Sequence, residues 1–338
     1  MRRFIYIFAA LAVILPSCQH KDLCLTHREH AHKYHMSVTA DYRYDWEEPY
    51  GFYDWKNNWP EDYMPYDSLR PKKPAGLRVI NSNSEGKSNI HNIKAEGGIV
   101  NLYEGLNDIL FFNNDTEYII FSRTDHGATT RAMTRTKTRS TYLGSKYANE
   151  GEETMTPPDM LFANYFEGVY AERAELPFPL DVTLQPLVFT YKVRYEFTEG
   201  LQYVALARGA LSGMARSVLL SNGDTSVEAA TLLYDCELKD YGAFALVTSF
   251  GVPDFPNMNY PTKVENKHAL NLEVMLKSGK MLNLDFDVSE QVQKQPHGGV
   301  IVVSGIAIKA EDGAQNSGAF DVDVDDWGEY EDVLLPLM

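Results

Sequence analysis

Four histidines stand close together near the start of the chain, at His27, His30, His32 and His35. Alternate side chains of a strand share a face, so His30 and His32 could bring two imidazoles to one metal ion. A complete site needs three or four ligands, and neither a Cys-x-x-Cys nor a His-Glu-x-x-His pattern accompanies the cluster. The sequence leaves a partial metal site and a solvated polar segment open, and it favours the second.

Three aspartates alternate with apolar residues in the stretch Phe320–Asp325. Their spacing resembles the first ligands of a calcium loop, which requires glycine at its sixth position and glutamate at its twelfth. Those positions hold Asp326 and Asp332. The alternation therefore favours a final β-strand with one solvated face, and we expect no metal or cofactor.

The segment 47–74 combines five prolines with many aromatic residues and predicts a long loop. Tyr53, Trp55 and Trp59 are its candidates for contact with a ligand or partner, because exposed aromatic rings stack on sugars and anchor interfaces. The alternative is a small aromatic core that pins the loop to the adjoining domain.

Motifs of catalysis are missing from the sequence. Ser212 lies in Leu211-Ser212-Gly213, without the Gly-x-Ser-x-Gly pattern of a nucleophile elbow. Neither a phosphate-binding loop nor a dinucleotide fingerprint occurs, and no two carboxylates can be paired from sequence into an acid and a base. The formal charge of −16 also gives no general attraction for nucleic acid. We predict a protein that is not an enzyme and does not bind nucleic acid.

The first residues predict export and lipid attachment. Arg2 and Arg3 precede an apolar run that is too short for a comfortable membrane span, and Leu15-Pro16-Ser17-Cys18 follows it. This order is typical of a bacterial lipoprotein signal, with 1–17 removed and lipid attached at Cys18. Residues 18–32 are polar and predict a tether that holds the protein to a membrane, outside the cytoplasm.

Two further cysteines remain in the compartment outside the cytoplasm, Cys24 and Cys236. An even pair in an oxidising environment predicts a disulfide that would tie the N-terminus to the second half. Two unpaired thiols are the alternative, and the sequence does not decide between them.

Short strands with glycine and proline turns fill the rest of the chain and predict an all-β protein of β-sandwich domains. We place an N-terminal domain at 33–180, with the long aromatic loop inside it, and a C-terminal domain at 181–338. Residues 161–170 fit a helix or a strand. The Thr- and Arg-rich stretch 128–141 predicts an exposed strand. The remaining predicted strands lie at 33–46, 76–80, 98–103, 107–113, 117–122, 191–197, 201–207, 216–220, 227–234, 243–250, 269–276, 282–288 and 300–308.

An ordered set of short motifs along the mature chain resembles fimbrillin-like outer-membrane lipoproteins of Bacteroidota, related to FimB-type fimbrial anchors and minor subunits. The motifs are Asp22-Leu23-Cys24, Gly97–Leu102, Asn113–Glu117, Pro157–Met160, Arg208–Ala215 and Phe320–Trp327. The resemblance implies two transthyretin-like β-sandwich domains in tandem, other fimbrial subunits as partners, and no catalysis. Gln19–Asp22 is similar to the export signals of surface lipoproteins, which implies display on the cell surface.

The resemblance favours a fimbrial anchor or a minor subunit at the tip or base, acting in assembly or adhesion. A lipid-tethered module that binds host or surface glycans for a nutrient-uptake system is the alternative, and an enzyme comes third. The apolar end 333–338 contains Pro336, which cannot donate in a central strand ladder. We therefore expect this end to fold back on its own second domain.

Overall fold

Strands dominate the computed structural model, which describes residues 34–43, 54–65, 71–256 and 267–314. The all-β prediction is confirmed. The predicted signal peptide at 1–17, the predicted tether at 18–32, the predicted strand at Phe320–Asp325 and the end 333–338 lie outside the described residues.

The first half of the chain forms a closed barrel of seven strands. Neighbours in the barrel are, in order, β1 (His35–Tyr42), β10 (Phe178–Pro186), β9 (Phe162–Ala171), β5 (Gly105–Asn113), β2 (Gly76–Asn83), β3 (Ser88–Lys94) and β4 (Gly97–Asn101), and β4 pairs with β1 again. The sequence predicted a β-sandwich domain here. The sheet closes because β1 pairs on both sides, parallel to β10 and antiparallel to β4.

Sequence alternation explains how β1 fits this barrel. Met36, Val38 and Tyr42 lie in one apolar core, because alternate side chains of a strand share a face. Gly97 permits closure, because a Cβ at this residue would lie 1.9 Å from the carbonyl oxygen of Val38. Its φ of +118° is also in the region that favours glycine.

The second half forms an eight-stranded sheet that curves around its own core. Its strands are, in order, β17 (Met281–Asp287), β16 (Ala269–Leu276), β12 (Val204–Ala215), β14 (Ala229–Lys239), β15 (Gly242–Ser249), β11 (Phe189–Glu199) and β18 (Gly299–Ala307), and the short β8 (Glu153–Met155) pairs with β14. Strand β14 pairs with β12 along its first part and with β15 near its end. The two wings of the sheet therefore share one core, to which both β11 and β16 contribute.

A three-stranded sheet joins the halves, built from β13 (Ser217–Leu219), β7 (Arg131–Thr134) and β6 (Ile119–Ser122). Beneath it, Leu110 and Phe112 of the barrel share an apolar cluster with Phe250 of the second half. The predicted domain boundary at residue 180 lies inside β10, and the change of sheet follows Pro186. Residues 131–155 lie before that boundary, yet β7 and β8 pair with strands of the second half.

The helices within the described part of the chain are short. They are α1 (Trp55–Asn58), α2 (Ser289–Gln293) and α3 (Ala310–Ala314), with 3₁₀ turns at Gly127–Thr129 and Leu201–Tyr203. Among the described residues, none of the helices has the length and apolar character needed to cross a membrane. The stretch 161–170, for which the sequence allowed either state, is a strand.

Candidate functional site

The aromatic segment 54–65, here called the strap, lies against the outer face of β11 and β18. Trp55 opens α1 and is only 7% exposed. Its indole ring contacts the buried side chain of Val300 and lies against Tyr63, with ring centroids 4.7 Å apart. Because burial of an indole removes a large apolar area from water, Trp55 holds the strap to the sheet.

Lys192 lies directly beneath the strap. It is 1% exposed, on the face of β11 opposite to the core residues Tyr191 and Val193. Its Nζ lies 3.6 Å from the centroid of the Trp55 ring and donates to the carbonyl oxygen of Asp62 at 3.3 Å. Burial lowers the pKa of this ammonium group to about 7, against the opposing effect of the Asp62 charge.

Arg194, two residues further along β11, binds three carboxylates. Its guanidinium contacts Asp62 at 2.5 Å, Glu196 at 2.7 Å and Glu61 at 2.9 Å. The ring of Tyr241 lies 3.4 Å below the guanidinium, and its hydroxyl donates to Asp62 at 2.5 Å. Such a planar, many-donor contact is specific to arginine. It connects two strap residues to β11 and to the turn between β14 and β15.

Glu196 extends this cluster to Trp59. The indole nitrogen of Trp59 donates to Glu196 Oε1 at 3.1 Å, and Ser304 Oγ donates to Oε2 at 2.5 Å. Burial alone would raise the pKa of Glu196, but these hydrogen bonds and the Arg194 charge bring it below its usual range. Glu196 therefore stays ionised at neutral pH and keeps its contact with the strap.

These contacts locate two of the three predicted ligand-contact residues, while Tyr53 lies outside the described residues. Trp55 is packed between the sheet, Lys192 and Tyr63, as the small-core interpretation expected. Trp59 is partly exposed and lines a shallow cavity of about 360 Å³ beside α2. Sequence reasoning missed that the sheet beneath these aromatics belongs to the second half.

A second segment of the first half, residues 135–152, crosses the outer face of β12, β14 and β16, and we call it the crossing segment. Arg139 Nη1 lies 3.0 Å from Glu273 Oε2, and Arg208 Nε lies 2.7 Å from the same oxygen. Arg139 also donates to the carbonyl oxygens of Gly209 and Tyr234. The stretch 128–141 was predicted as an exposed strand, but only β7 is a strand and Arg139 is buried.

Hydroxyl groups line an open cleft next to this buried triad. The Thr231 hydroxyl lies 2.7 Å from Glu152 Oε2 and 3.0 Å from Ser212 Oγ, and Tyr142 reaches Ser212 at 3.4 Å. The cleft has a volume of about 550 Å³ and includes Asp285. Hydroxyl and carboxylate groups of this kind can hydrogen-bond a polar ligand such as a sugar.

The remaining candidate residues fall partly within the described chain. Cys236 is half-buried with no disulfide partner there, and burial raises the pKa of its thiol. Cys18 and Cys24 lie outside the described residues, so lipid attachment and the disulfide stay predictions. Of the histidine cluster only His35 is described, on β1, and the described part of the chain holds no group of three metal ligands.

Comparison with solved structures shows the same fold in a protein from Bacteroides ovatus ATCC 8483 described as a "putative adhesin". The TM-score is 0.59 at 18% identity, over 87% of this chain and 98% of the other. The fimbrial anchor protein Mfa2 from Porphyromonas gingivalis gives a TM-score of 0.43 at 12% identity, over 80% and 90%. That second likeness is too weak to support an argument. No curated protein sequence matches the chain.

The chain therefore shares its fold with the Bacteroides ovatus protein over nearly the whole length of both, which agrees with the resemblance that the sequence motifs indicated. Residues 66–235, just over half of the chain, match the family model described as "Domain of unknown function (DUF5119)". The chain belongs to this family. The match runs through most of the barrel and into β14, so it includes both the crossing segment and the joint between the halves.

Proposed function

We propose that the protein is a non-enzymatic lipoprotein of the outer membrane, displayed on the cell surface, that serves as a fimbrial anchor or as a minor subunit at the tip or base. The observation that carries this proposal is the fold shared over nearly the whole length of the Bacteroides ovatus protein. The lipoprotein pattern ending at Cys18 supports an anchored location.

The use of buried polar groups supports a role without catalysis. Arg194, Arg139 and Glu273 each contact a segment that crosses between the halves, and these contacts hold the fold together. Shifted pKa values at a structural ion pair do not require a catalytic role, because such pairs shift the pKa of their members by themselves. The strap and the crossing segment give a tandem protein the rigidity that a load-carrying subunit requires.

The C-terminal sheet offers the edges at which another fimbrial subunit could bind. Among the described strands, β17 pairs only with β16 and β18 pairs only with β11, whereas every barrel strand pairs on both sides. An unpaired strand edge can accept a strand through main-chain hydrogen bonds. We place the partner contact at this sheet, with the end 333–338 folded back on the protein's own second domain.

We also propose that the two halves, predicted at 33–180 and 181–338, are transthyretin-like domains in tandem. In this interpretation the barrel is a sandwich whose two sheets are joined through β1, which pairs with both β10 and β4. In the second half, β14 joins the two sheets because it pairs with both β12 and β15. A fragment that starts at 181 would lack β7 and β8, so we expect it to fold less stably than the full chain.

Anchoring is tested by Cys18→Ala in cells fed a palmitate analogue. We expect the variant to lose the label and leave the membrane fraction, while a Cys24→Ser control keeps both. Equal labelling of Cys18→Ala and the wild type would overturn the lipid anchor. Co-purification of the wild type with a ladder of fimbrial subunits tests the assembly role, and its absence from piliated cells would count against that role.

The disulfide between Cys24 and Cys236 is a separate proposal. It would close a long loop and stabilise the protein by about 2–4 kcal/mol. Thiol counting on the denatured, unreduced protein tests it, with no free thiol expected at either residue. Two reactive thiols would exclude the bridge.

The cleft beside Thr231 favours a glycan-binding module as the second candidate function. Retention on a polysaccharide gel that is lost in Thr231→Val and Asp285→Asn would support it. Trp59→Ala serves as the matched variant at the strap, and retention lost only in that variant would move the glycan site to the strap.

A further inference from the structure

The two edge strands of the C-terminal sheet differ in what bonds their outer backbone groups. At the β18 edge, Gln295 donates to the carbonyl oxygen of Val300 at 2.9 Å and accepts from the amide of the same residue at 2.8 Å. Gln291 bonds both backbone groups of Val302 in the same way, at 2.9 Å each. A carboxamide carries a donor and an acceptor, so each glutamine takes the place of a neighbouring strand. The β18 edge is therefore closed along this stretch.

The opposite edge, along β17, has outer backbone groups that no described residue bonds. The amide of Leu276 donates to the carbonyl oxygen of Lys280, and the amide of Val288 donates to that of His268, both at 2.9 Å. Bonded pairs alternate along an antiparallel ladder, so the even-numbered residues of β17 bond to β16. The amides and carbonyl oxygens that point away from β16 belong to Met281, Asn283, Asp285 and Asp287.

The apolar core is also incompletely covered at β17. Leu282, Leu284 and Phe286 pack against this core, yet all three are only partly buried. The core residues of β16 beside them are fully buried, and so is Ile301 at the β18 edge. A further strand with apolar residues at alternate positions would cover the three side chains of β17 and bond its outer backbone groups.

The chain crosses from the β18 side of the sheet to the β17 side after its last described strand. The amide of Ile308, just beyond β18, donates to the carbonyl oxygen of Glu199 at the end of β11, at 3.0 Å. Helix α3 follows, and its Asp312 carboxylate lies 2.5 Å from Nζ of Lys280, the residue that precedes β17. The helix therefore brings the chain to the start of β17.

The sequence beyond α3 contains a segment with the required pattern. Phe320, Val322 and Val324 alternate with aspartates over 320–325, where the sequence predicts a final strand with one solvated face. The intervening residues 315–319 are small or polar, and this link to α3 reaches at most about 20 Å. The seven residues of β17 span about 23 Å, so the segment can lie along most of that strand.

We propose that residues 320–325 pair with the free edge of β17 as a further strand of the C-terminal sheet, with Phe320, Val322 and Val324 over the core. The aspartates of the segment then lie on the solvent face, and charge on an edge strand discourages pairing with a second copy. The inference concerns the protein's own chain and does not depend on the fimbrial role. A fimbrial partner that pairs with this sheet would meet the added strand, since the glutamines close β18.

The test is hydrogen exchange of the full-length protein, read at single residues by mass spectrometry with electron-transfer fragmentation. The outward amides of Asn283 and Asp285 should exchange about tenfold or more slowly in the wild type than in Val322→Asp, Val324→Asp, which places two charges on the core face. Asp323→Asn is the matched control on the solvent face and should keep the protection. The amide of Leu284 bonds to β16, and its protection in every variant shows that the sheet stays folded.

Three results would overturn the inference. Rapid exchange of the two outward amides in the wild type would show that the edge of β17 is open. Protection that survives Val322→Asp, Val324→Asp but is lost in Leu334→Asp, Leu335→Asp would assign the edge to the end 333–338. Protection that disappears on dilution of the protein would assign it to a second copy of the chain.

Discussion

The strap and the crossing segment both attach the first half to the outer face of the C-terminal sheet, but with opposite charge balance. Under the strap, Arg194 faces three carboxylates, of which Glu61 is half exposed. Under the crossing segment, Arg139 and Arg208 share the single carboxylate of Glu273, and all three side chains are buried.

The difference shows that two segments of the first half are attached to the same sheet by different kinds of contact. The strap combines an aromatic anchor with one buried ion pair, Arg194–Asp62, and with pairs to Glu61 and Glu196, whose carboxylates lie nearer solvent and contribute less. The triad lies in a low dielectric, where an unpaired charge is very costly. Even within it, Arg139 Nε and Glu273 Oε1 have no hydrogen-bond partner in the described chain. The triad is therefore the more sensitive of the two to a single substitution.

Glu273→Gln should have the largest effect, because it leaves two buried guanidinium groups without a counter-charge. We expect the free energy of unfolding to fall by about 3–5 kcal/mol in urea denaturation followed by circular dichroism. Glu237→Gln removes the partner of Lys239 at an exposed pair on β14 and serves as control, with no measurable change expected. Equal effects of the two substitutions would remove the distinction between buried and exposed clusters.

Arg194→Met should destabilise the protein by about 2 kcal/mol, less than the triad variant, because Glu61 and Glu196 can turn to solvent and the buried Asp62 keeps the hydrogen bond from Tyr241. The strap should also become sensitive to protease between residues 54 and 65. Arg194→Lys keeps the charge but loses the paired donors of the guanidinium. Its free energy of unfolding should lie between those of the wild type and Arg194→Met. A protease-resistant strap in Arg194→Met would show that Trp55 alone holds it.

Lys192 makes the strap sensitive to pH. The folded protein releases this proton near pH 7, whereas the unfolded chain keeps it up to about 10.5. Between these values the unfolded state binds more protons, so stability rises with pH, while below pH 7 this group gives no slope. From pH 7 to 9 we expect a gain of about 1–2 kcal/mol, measured by urea denaturation. The gain should disappear in Lys192→Met, and an unchanged slope there would assign it to another group.

Trp59→Phe should have the smallest effect, about 1 kcal/mol, because it removes one donor to Glu196 and keeps an aromatic ring. Ser304→Ala removes the other neutral donor to the same carboxylate and is the matched variant. A double-mutant cycle in urea should show coupling between them, since both donors stabilise one charge. Strict additivity would mean that Glu196 does not connect Trp59 to β18.

Local patterns in the sequence predicted most of the strands. The alternation of Tyr191, Val193 and Tyr195 with charged residues identified β11, because one face of a strand must be buried. Gly97 and Gly98 are typical of a turn before β4. The structure adds that Gly97 lies against the backbone of β1, where a side chain would collide with Val38. The alternation of apolar residues and the choice of turn residues depend only on neighbours along the chain, so both can be identified from a single sequence.

The sequence could not show what covers the polar face of β11. Lys192 and Arg194 have the spacing of solvent-facing residues, yet both are buried by a segment about 130 residues away along the chain. Arg139 was assigned to an exposed strand for the same reason, since its partner Glu273 lies on β16. Long-range topology decides such burial, and short motifs contain no information about it.

The parallel pairing of β1 with β10 also decides how the molecule would carry force. A pull between Tyr34, which precedes β1, and the second half, which the chain enters after Pro186 at the far end of β10, acts along these two parallel strands in opposite directions. The ladders on both sides of β1 are then loaded in shear, so their hydrogen bonds resist together and do not open one after another. In a protein tethered at this end, β1 would resist the force over its whole length, because it is hydrogen-bonded to β10 on one side and to β4 on the other.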